Sequence, residues 1–412
     1  MKKTLLATTA VGLFVAGGAN AASPTIKLGG YADFQVGAAS QEDAYQSSVN
    51  LSKGAAGTLS RGYNSATDTA LFVDVDGETD AGLKYGAHIT LEADVNAPGD
   101  VSDRGQNAGK TFLYVESMAG RVEGGATTSV ARQFQVGAET LARGAGGIAG
   151  DFDRYVDLDG VGGAGATNAT FYSKPGLAND VDPFSVDNGI EEERQTANKL
   201  TYITPDIYGL RAGASFTPDT QERGTEKGFS SEFASAVDVA NGLTASFENV
   251  VDAGVHYKNQ YNGVGFEASA TGQMGDFQDP AAGGASGHDD LKSYNLGLTA
   301  NFAGFELGGS YGRADEFGRI AALGTEASYF TLGGAYVYGP IGASVTYLQS
   351  EIENDLVAGR DSEFQNISVG ADYQLAPGLV PYVEVNFFNT DDNTAVADNE
   401  GTVFISGLGL NF

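Results

Sequence analysis

Apolar and polar residues alternate with period two along most of the chain, the pattern of strands that have one apolar and one polar face. Residues 82–95 show it most clearly. Leu83, Tyr85, Ala87, Ile89, Leu91, Ala93 and Val95 share one face, and Lys84, His88, Thr90, Glu92 and Asp94 share the other. Similar apolar sets are Ile26, Leu28, Ala32, Phe34 and Val36; Leu71, Val73 and Val75; and Tyr294, Leu296, Leu298, Ala300 and Phe302. Later examples are Ile341, Ala343, Val345 and Tyr347, then Ile367, Val369, Ala371 and Tyr373. Periodicity alone does not separate a soluble sandwich, whose apolar face is the core, from a membrane barrel, whose apolar face meets lipid.

The connections separate them. Short turns are predicted near 77–81, 119–120, 205–208, 259–262, 303–304, 339–340 and 375–378. Long polar connections are predicted near 38–67, 96–109, 129–195, 218–247, 274–290, 313–328, 351–364 and 389–400. Turns and loops alternate, which implies about sixteen strands with both termini on the short-turn side. A sandwich has no reason to sort its loops by length, whereas an outer-membrane barrel has short periplasmic turns and long extracellular loops. Register is fixed by cost: slipping the 82–95 strand by one residue would put Lys84, Glu92 and Asp94 into lipid, at up to ~2–4 kcal/mol for a basic residue at the midplane. Tyr202, Tyr208, Tyr257, Tyr261, Phe302, Phe305, Tyr336 and Tyr338 fall near strand ends or turns and are candidates for an interfacial girdle.

The N-terminus has Met1-Lys2-Lys3, an apolar run Leu5 to Ala16 and a small-residue stretch through Ala22. This reads as a secretory signal peptide over residues 1–21, cleaved after Ala19-Asn20-Ala21, with a mature barrel over 22–412. The apolar run is too short for a spanning helix. Among 412 residues there are 59 glycines, 19 tyrosines and 23 phenylalanines, but no cysteine or tryptophan. Disulfides are thereby excluded as a source of stability in an exported protein. The formal net charge of -30 repels phosphate backbones, so no nucleic-acid partner is expected.

Several stretches resemble the general Gram-negative outer-membrane porin family. Glu78-Thr79-Asp80-Ala81-Gly82-Leu83-Lys84-Tyr85-Gly86-Ala87 is similar to its first periplasmic turn and third strand. Asn198 to Pro205 followed by Tyr208-Gly209-Leu210 is similar to its Tyr-x-Ser/Thr-Pro…Gly-Phe hairpin. Phe112 to Glu116 with Ala119 to Val122 resembles the hairpin before the constriction loop, and Ala376-Pro377-Gly378-Leu379 a late turn. The C-terminal run to Phe412, with Leu410, Leu408 and Phe404 on one face, resembles the family's assembly signal. The resemblance implies an all-β, sixteen-stranded transmembrane barrel, a homotrimer, passive diffusion of ions and small hydrophilic solutes, and a third extracellular loop folded into the pore. It places the protein in the Gram-negative outer membrane, with the lipid bilayer and lipopolysaccharide as its surroundings.

The longest connection, 129–195, occupies the place of that third loop and holds Asp151, Asp153, Asp157 and Asp159 near Arg132, Arg143 and Arg154. Basic candidates for the pore wall, from inward alternation, are Lys27, Lys84, Arg121, Lys199 and Arg211, interspersed with Asp33, Asp74, Asp76, Glu92, Asp94 and Glu123. No dense arginine cluster stands among them, and cation preference is expected. Charge on a pore wall matters because the Debye length is about 8 Å at physiological salt. The alternatives are a substrate-selective channel and a structural or adhesive barrel plugged by the long loop.

Catalysis finds no motif: there is no Gly-x-Ser-x-Gly elbow, Walker loop or His-Glu-x-x-His helix. Asp157-Leu158-Asp159-Gly160 and Asp74-Val75-Asp76-Gly77 are fragments of a calcium loop without its closing glutamate. No cofactor is expected, and structural calcium between acidic loops is the one metal the sequence leaves open. His88, His256 and His288 lack metal-ligand spacing and read as lumen or loop residues.

Overall fold

The computed structural model describes residues 23–42, 62–93, 108–156, 158, 171–179, 196–224, 246–278, 287–355, 358–393 and 398–412. The expected signal peptide lies outside them. The strands are β1 (Thr25–Ser40), β2 (Tyr63–Glu78), β3 (Lys84–Glu92), β4 (Ala108–Ser117), β5 (Gly120–Ala126), β6 (Asn198–Ile203), β7 (Leu210–Asp219) and β8 (Phe247–Tyr261). They continue as β9 (Val264–Phe277), β10 (Leu291–Phe302), β11 (Phe305–Phe317), β12 (Glu326–Tyr338), β13 (Ile341–Glu353), β14 (Ser362–Tyr373), β15 (Leu379–Asp391) and β16 (Asn399–Asn411). Each pairs antiparallel with its sequence neighbours, and β1 pairs with β16 from Tyr31↔Asn411 to Ser40↔Thr402. Phe412 and Gly30 complete the seam by exchanging two backbone hydrogen bonds of 3.0 Å. Closure leaves no sheet edge, so a spanning backbone satisfies its polar groups without water.

All seven short turns lie within a few residues of their predicted places. At one of the two-residue turns, Asn262 and Gly263 both adopt positive φ (50° and 82°), as a hairpin matched to strand twist requires. The eight girdle candidates are all exposed on the outside of the barrel, as are Leu28, Leu113, Leu307 and Leu332. Several loops are shorter than expected, among them 41–62, 318–325, 354–361 and 392–398 in place of 38–67, 313–328, 351–364 and 389–400. The reason is that pairing outlasts the apolar alternation. Beyond the apolar zone β11 and its neighbours are held by ion pairs, Arg313 with Asp315 (2.7 Å) and with Glu326, and Lys292 with Asp315 (3.2 Å). Strands of twelve or thirteen residues also exceed the ~9–11 that a tilted crossing needs.

The inner face is less polar than alternation predicts. Phe247, Leu291, Tyr329, Leu348, Ile352, Phe364, Phe388, Val403 and Ile405 point inward from β8 to β16, and all are buried. They pack with Ile148, Phe152, Tyr155, Phe171 and Tyr172, which belong to the connection between β5 and β6. The described part of that connection lies inside the barrel, and its apolar side chains are matched by apolar wall.

Candidate functional site

The inward loop is built from short pieces, each tied to the wall. Ser129 caps the single-turn helix Val130–Gln133 by accepting the Arg132 N–H at 3.2 Å, and the helix packs against β6 to β9. Helical turns at Ala138–Leu141, Gly147–Ala149 and Asp151–Tyr155 then pass over β11 to β13, β13 to β15, and finally β16 and β1. The loop therefore follows the inside of the wall.

Wall side chains hold its backbone in sequence. Ser215 Oγ accepts the Val130 N–H (2.8 Å), Thr331 Oγ1 the Ala138 N–H (3.3 Å) and Ser344 Oγ the Arg143 N–H (2.8 Å). One oxygen of the buried Glu384 carboxylate accepts both the Ala145 N–H (2.8 Å) and the Gly147 N–H (2.9 Å), while Asn386 donates to the other oxygen at 2.8 Å. Such bonds contribute about 0.5–1.5 kcal/mol each when neutral and about 1.5–3 when one partner is charged. Two wall glycines permit the approach. A Cβ on Gly297 would stand 1.7 Å from the Val136 carbonyl oxygen, and one on Gly370 1.7 Å from that of Arg143.

At the end of this path the loop reaches the first strands. Gln35 donates to Asp151 at 2.7 Å, Arg154 Nε lies 3.1 Å from the same carboxylate, and Arg154 Nη2 is 3.8 Å from Asp68 on β2. Asp153 pairs with Lys174 at 2.6 Å. Burial holds the Asp151 carboxyl above the ordinary carboxylate range, with Arg154 and Gln35 pulling the other way. Asp151 and Asp153 thus face cations of their own loop, while Asp157 and Asp159 lie outside the described residues.

The basic candidates fall into two groups. Lys27 pairs with Asp76 (2.8 Å) and Lys84 with Glu116 (3.3 Å). Arg121 sits between Glu123 (2.6 Å) and Glu116 (3.5 Å), its guanidinium 3.9 Å from the centre of the Tyr114 ring. These three share a network on β1 to β5. Lys199 and Arg211 are apart from it, on β6 and β7 beside the helix of the loop. Lys199 is buried, its amine on the carbonyls of Ala197 (2.8 Å) and Thr127. Arg211 lies 3.3 Å from His256 Nδ1, and His256 Nε2 is 2.7 Å from Glu267.

Strands β1 to β4 present a different surface. Tyr31 on β1, Phe72 on β2, His88 on β3 and Phe112 on β4 form a row of rings with centroid separations of 6.0, 6.1 and 5.3 Å. All four remain half-exposed. Among the described residues no group of three or more histidine, aspartate or glutamate side chains is arranged to hold a metal ion. The carboxylates of the Asp74-Val75-Asp76 fragment are engaged by His88 (2.6 Å), Lys27 and Tyr114 (2.6 Å).

The sequence reading missed the apolar inner wall, the ring row and Glu384. The first had a signal, apolar residues on both faces of the upper strands, as at Leu348 and Ile352. Glu384 had none, because its partners come from a loop 237 residues away in sequence.

Comparison with known proteins agrees with this architecture. A family model described as Gram-negative porin matches residues 7–393. An uncharacterized protein of Rickettsia conorii is 26% identical, with the whole of both chains covered. An anion-selective porin from Comamonas acidovorans has a similar structure, with a TM-score of 0.56 at 16% identity, covering 95% of this chain and 100% of that one. A loop-deletion mutant of OmpT, an outer membrane protein of Vibrio cholerae, gives 0.54 at 11% identity over 95% and 100% of the chains.

Proposed function

Because the chain belongs to the Gram-negative porin family, and so forms a channel of the outer membrane, we propose that it passes ions and small hydrophilic solutes by passive diffusion with a preference for cations. The observation that carries this reading is the inner wall of β1 to β5, which the loop meets at Gln35, Asp68 and Glu123. There Asp33, Asp68, Asp74, Asp76, Glu92, Glu116 and Glu123 outnumber Lys27, Lys84, Lys110 and Arg121. A lumen lined by excess negative charge concentrates cations when its width is comparable with the Debye length. The Comamonas porin's anion selectivity does not carry over, because at 16% identity only the fold is shared. We place the eyelet between the 151–154 segment of the loop and this wall, and the reading needs no cofactor.

Trimerisation is part of the proposal and has a structural argument. Strands β5 and β6 have seven and six residues. Six residues at ~3.3 Å and a tilt of ~45° rise about 14 Å, against an apolar band of about 25 Å. A wall this low is covered by protein in preference to lipid, and a neighbouring copy supplies it.

Current through the purified protein in a planar bilayer under a salt gradient tests the reading. Stepwise conductance in groups of three with a cation-selective reversal potential supports it. Inserted protein that passes no current would instead make the loop a plug, and an anion-selective potential would remove the role given to the acidic wall.

A further inference from the structure

The row of rings on the uncovered wall is more than spacing. Other inward aromatics, Phe247, Phe364, Tyr329 and Phe388, are sealed beneath the loop, whereas Tyr31, Phe72, His88 and Phe112 stay half-exposed on neighbouring strands. Their planes are inclined by 50°, 31° and 33° from one to the next, so the row follows the curve of the wall. Carboxylates border it on the same face of β2. Asp68 accepts the Tyr31 hydroxyl at 2.8 Å, and Asp74 holds His88 Nδ1 at 2.6 Å while Thr90 meets Nε2 at 3.0 Å. The His88 ring is thereby fixed in the row.

The same wall already binds two cations of the protein. Arg121 lies over Tyr114, two residues along β4 from Phe112, and Arg154 reaches Asp68 beside Tyr31. Rings with negative faces next to carboxylates attract organic cations, whose charge is shared over apolar surface, more than hydrated metal ions. We propose that Tyr31, Phe72, His88 and Phe112, with Asp68 and Asp74, form a binding subsite for flat organic cations on their way through the channel. This inference rests on the open-channel reading and adds a solute class to it.

The test is block of the ion current by N-methylquinolinium, a flat monocation, with sucrose as a neutral ring-bearing control. The expected result is saturable block by the cation and none by sucrose at equal concentration. The double substitution Phe72→Leu and Phe112→Leu raises the half-blocking concentration about fivefold to tenfold, as does Asp74→Asn. Block unchanged in both variants, equal block by sucrose, or no block overturns the subsite. Conductance without blocker reports separately on the open channel. If the protein carries no current, quinolinium fluorescence on the detergent-purified protein, which contains no tryptophan, decides the matter. Absence of saturable binding there, or binding unaltered by the double substitution, overturns the inference on its own.

Discussion

The two sides of the barrel wall use the same kinds of residue to opposite ends. From β8 to β16 the inward aromatics and aliphatics are buried under the loop, as in the pair Phe152 and Phe364, stacked at 6.1 Å. From β1 to β4 the inward rings are left open, and their neighbours are carboxylates. What separates the two is the path of one loop, set by hydroxyls at Ser215, Thr331 and Ser344, a carboxylate at Glu384 and the bare backbones of Gly297 and Gly370. Inward position in a barrel therefore does not define a pore-lining residue; whether the loop covers it does.

The comparison breaks hardest at the buried pair. Phe152→Ala is expected to weaken loop docking by about 3–5 kcal/mol, the usual cost of removing a fully buried phenylalanine. Hydrogen exchange should show faster opening of residues 138–155 with the strands still protected, whereas Phe72→Ala on the open side should leave that exchange unchanged.

Glu384→Ala comes next. It strands the Ala145 and Gly147 N–H groups, at about 1–3 kcal/mol, and protease should cut the loop faster in a barrel of unaltered strand content.

A smaller effect is expected from Asp68→Asn with Asp74→Asn. The reversal potential in a salt gradient should move toward zero by a fraction of its value, and raised salt should shrink the difference.

The smallest belongs to Lys84→Ala, whose exposed pair with Glu116 is worth at most about 1 kcal/mol. Thermal unfolding should not resolve it.

How much of this was legible depends on range. The strands, their number and their turns follow from alternation and loop sorting because both are local. Lys84 and His88 could be assigned inward, and Leu83 and Tyr85 to the apolar face, from a single strand. The loop's place was expected from family resemblance, but its path was not, because it is fixed by pairings such as Arg143 with Ser344, 201 residues apart. For the same reason Lys199 could be assigned to the inner face, but its burial could not be foreseen: it follows from the carbonyl of Thr127, 72 residues earlier. The ring row needed only the registry of four adjacent strands, with His88 directly opposite Phe112. Alternation sorts apolar from polar, so the inward Phe72 and Phe112 stand outside both of its categories.

The most direct measurement uses the absence of cysteine from the chain. Phe72→Cys and Ser368→Cys, the latter inward and buried on β14, are each exposed to a cationic methanethiosulfonate reagent while single-channel current is recorded. Modification that lowers the current through Phe72→Cys and leaves Ser368→Cys untouched is the expected result. Equal modification of both, or current loss at Ser368→Cys alone, would contradict a pore that runs along the uncovered wall.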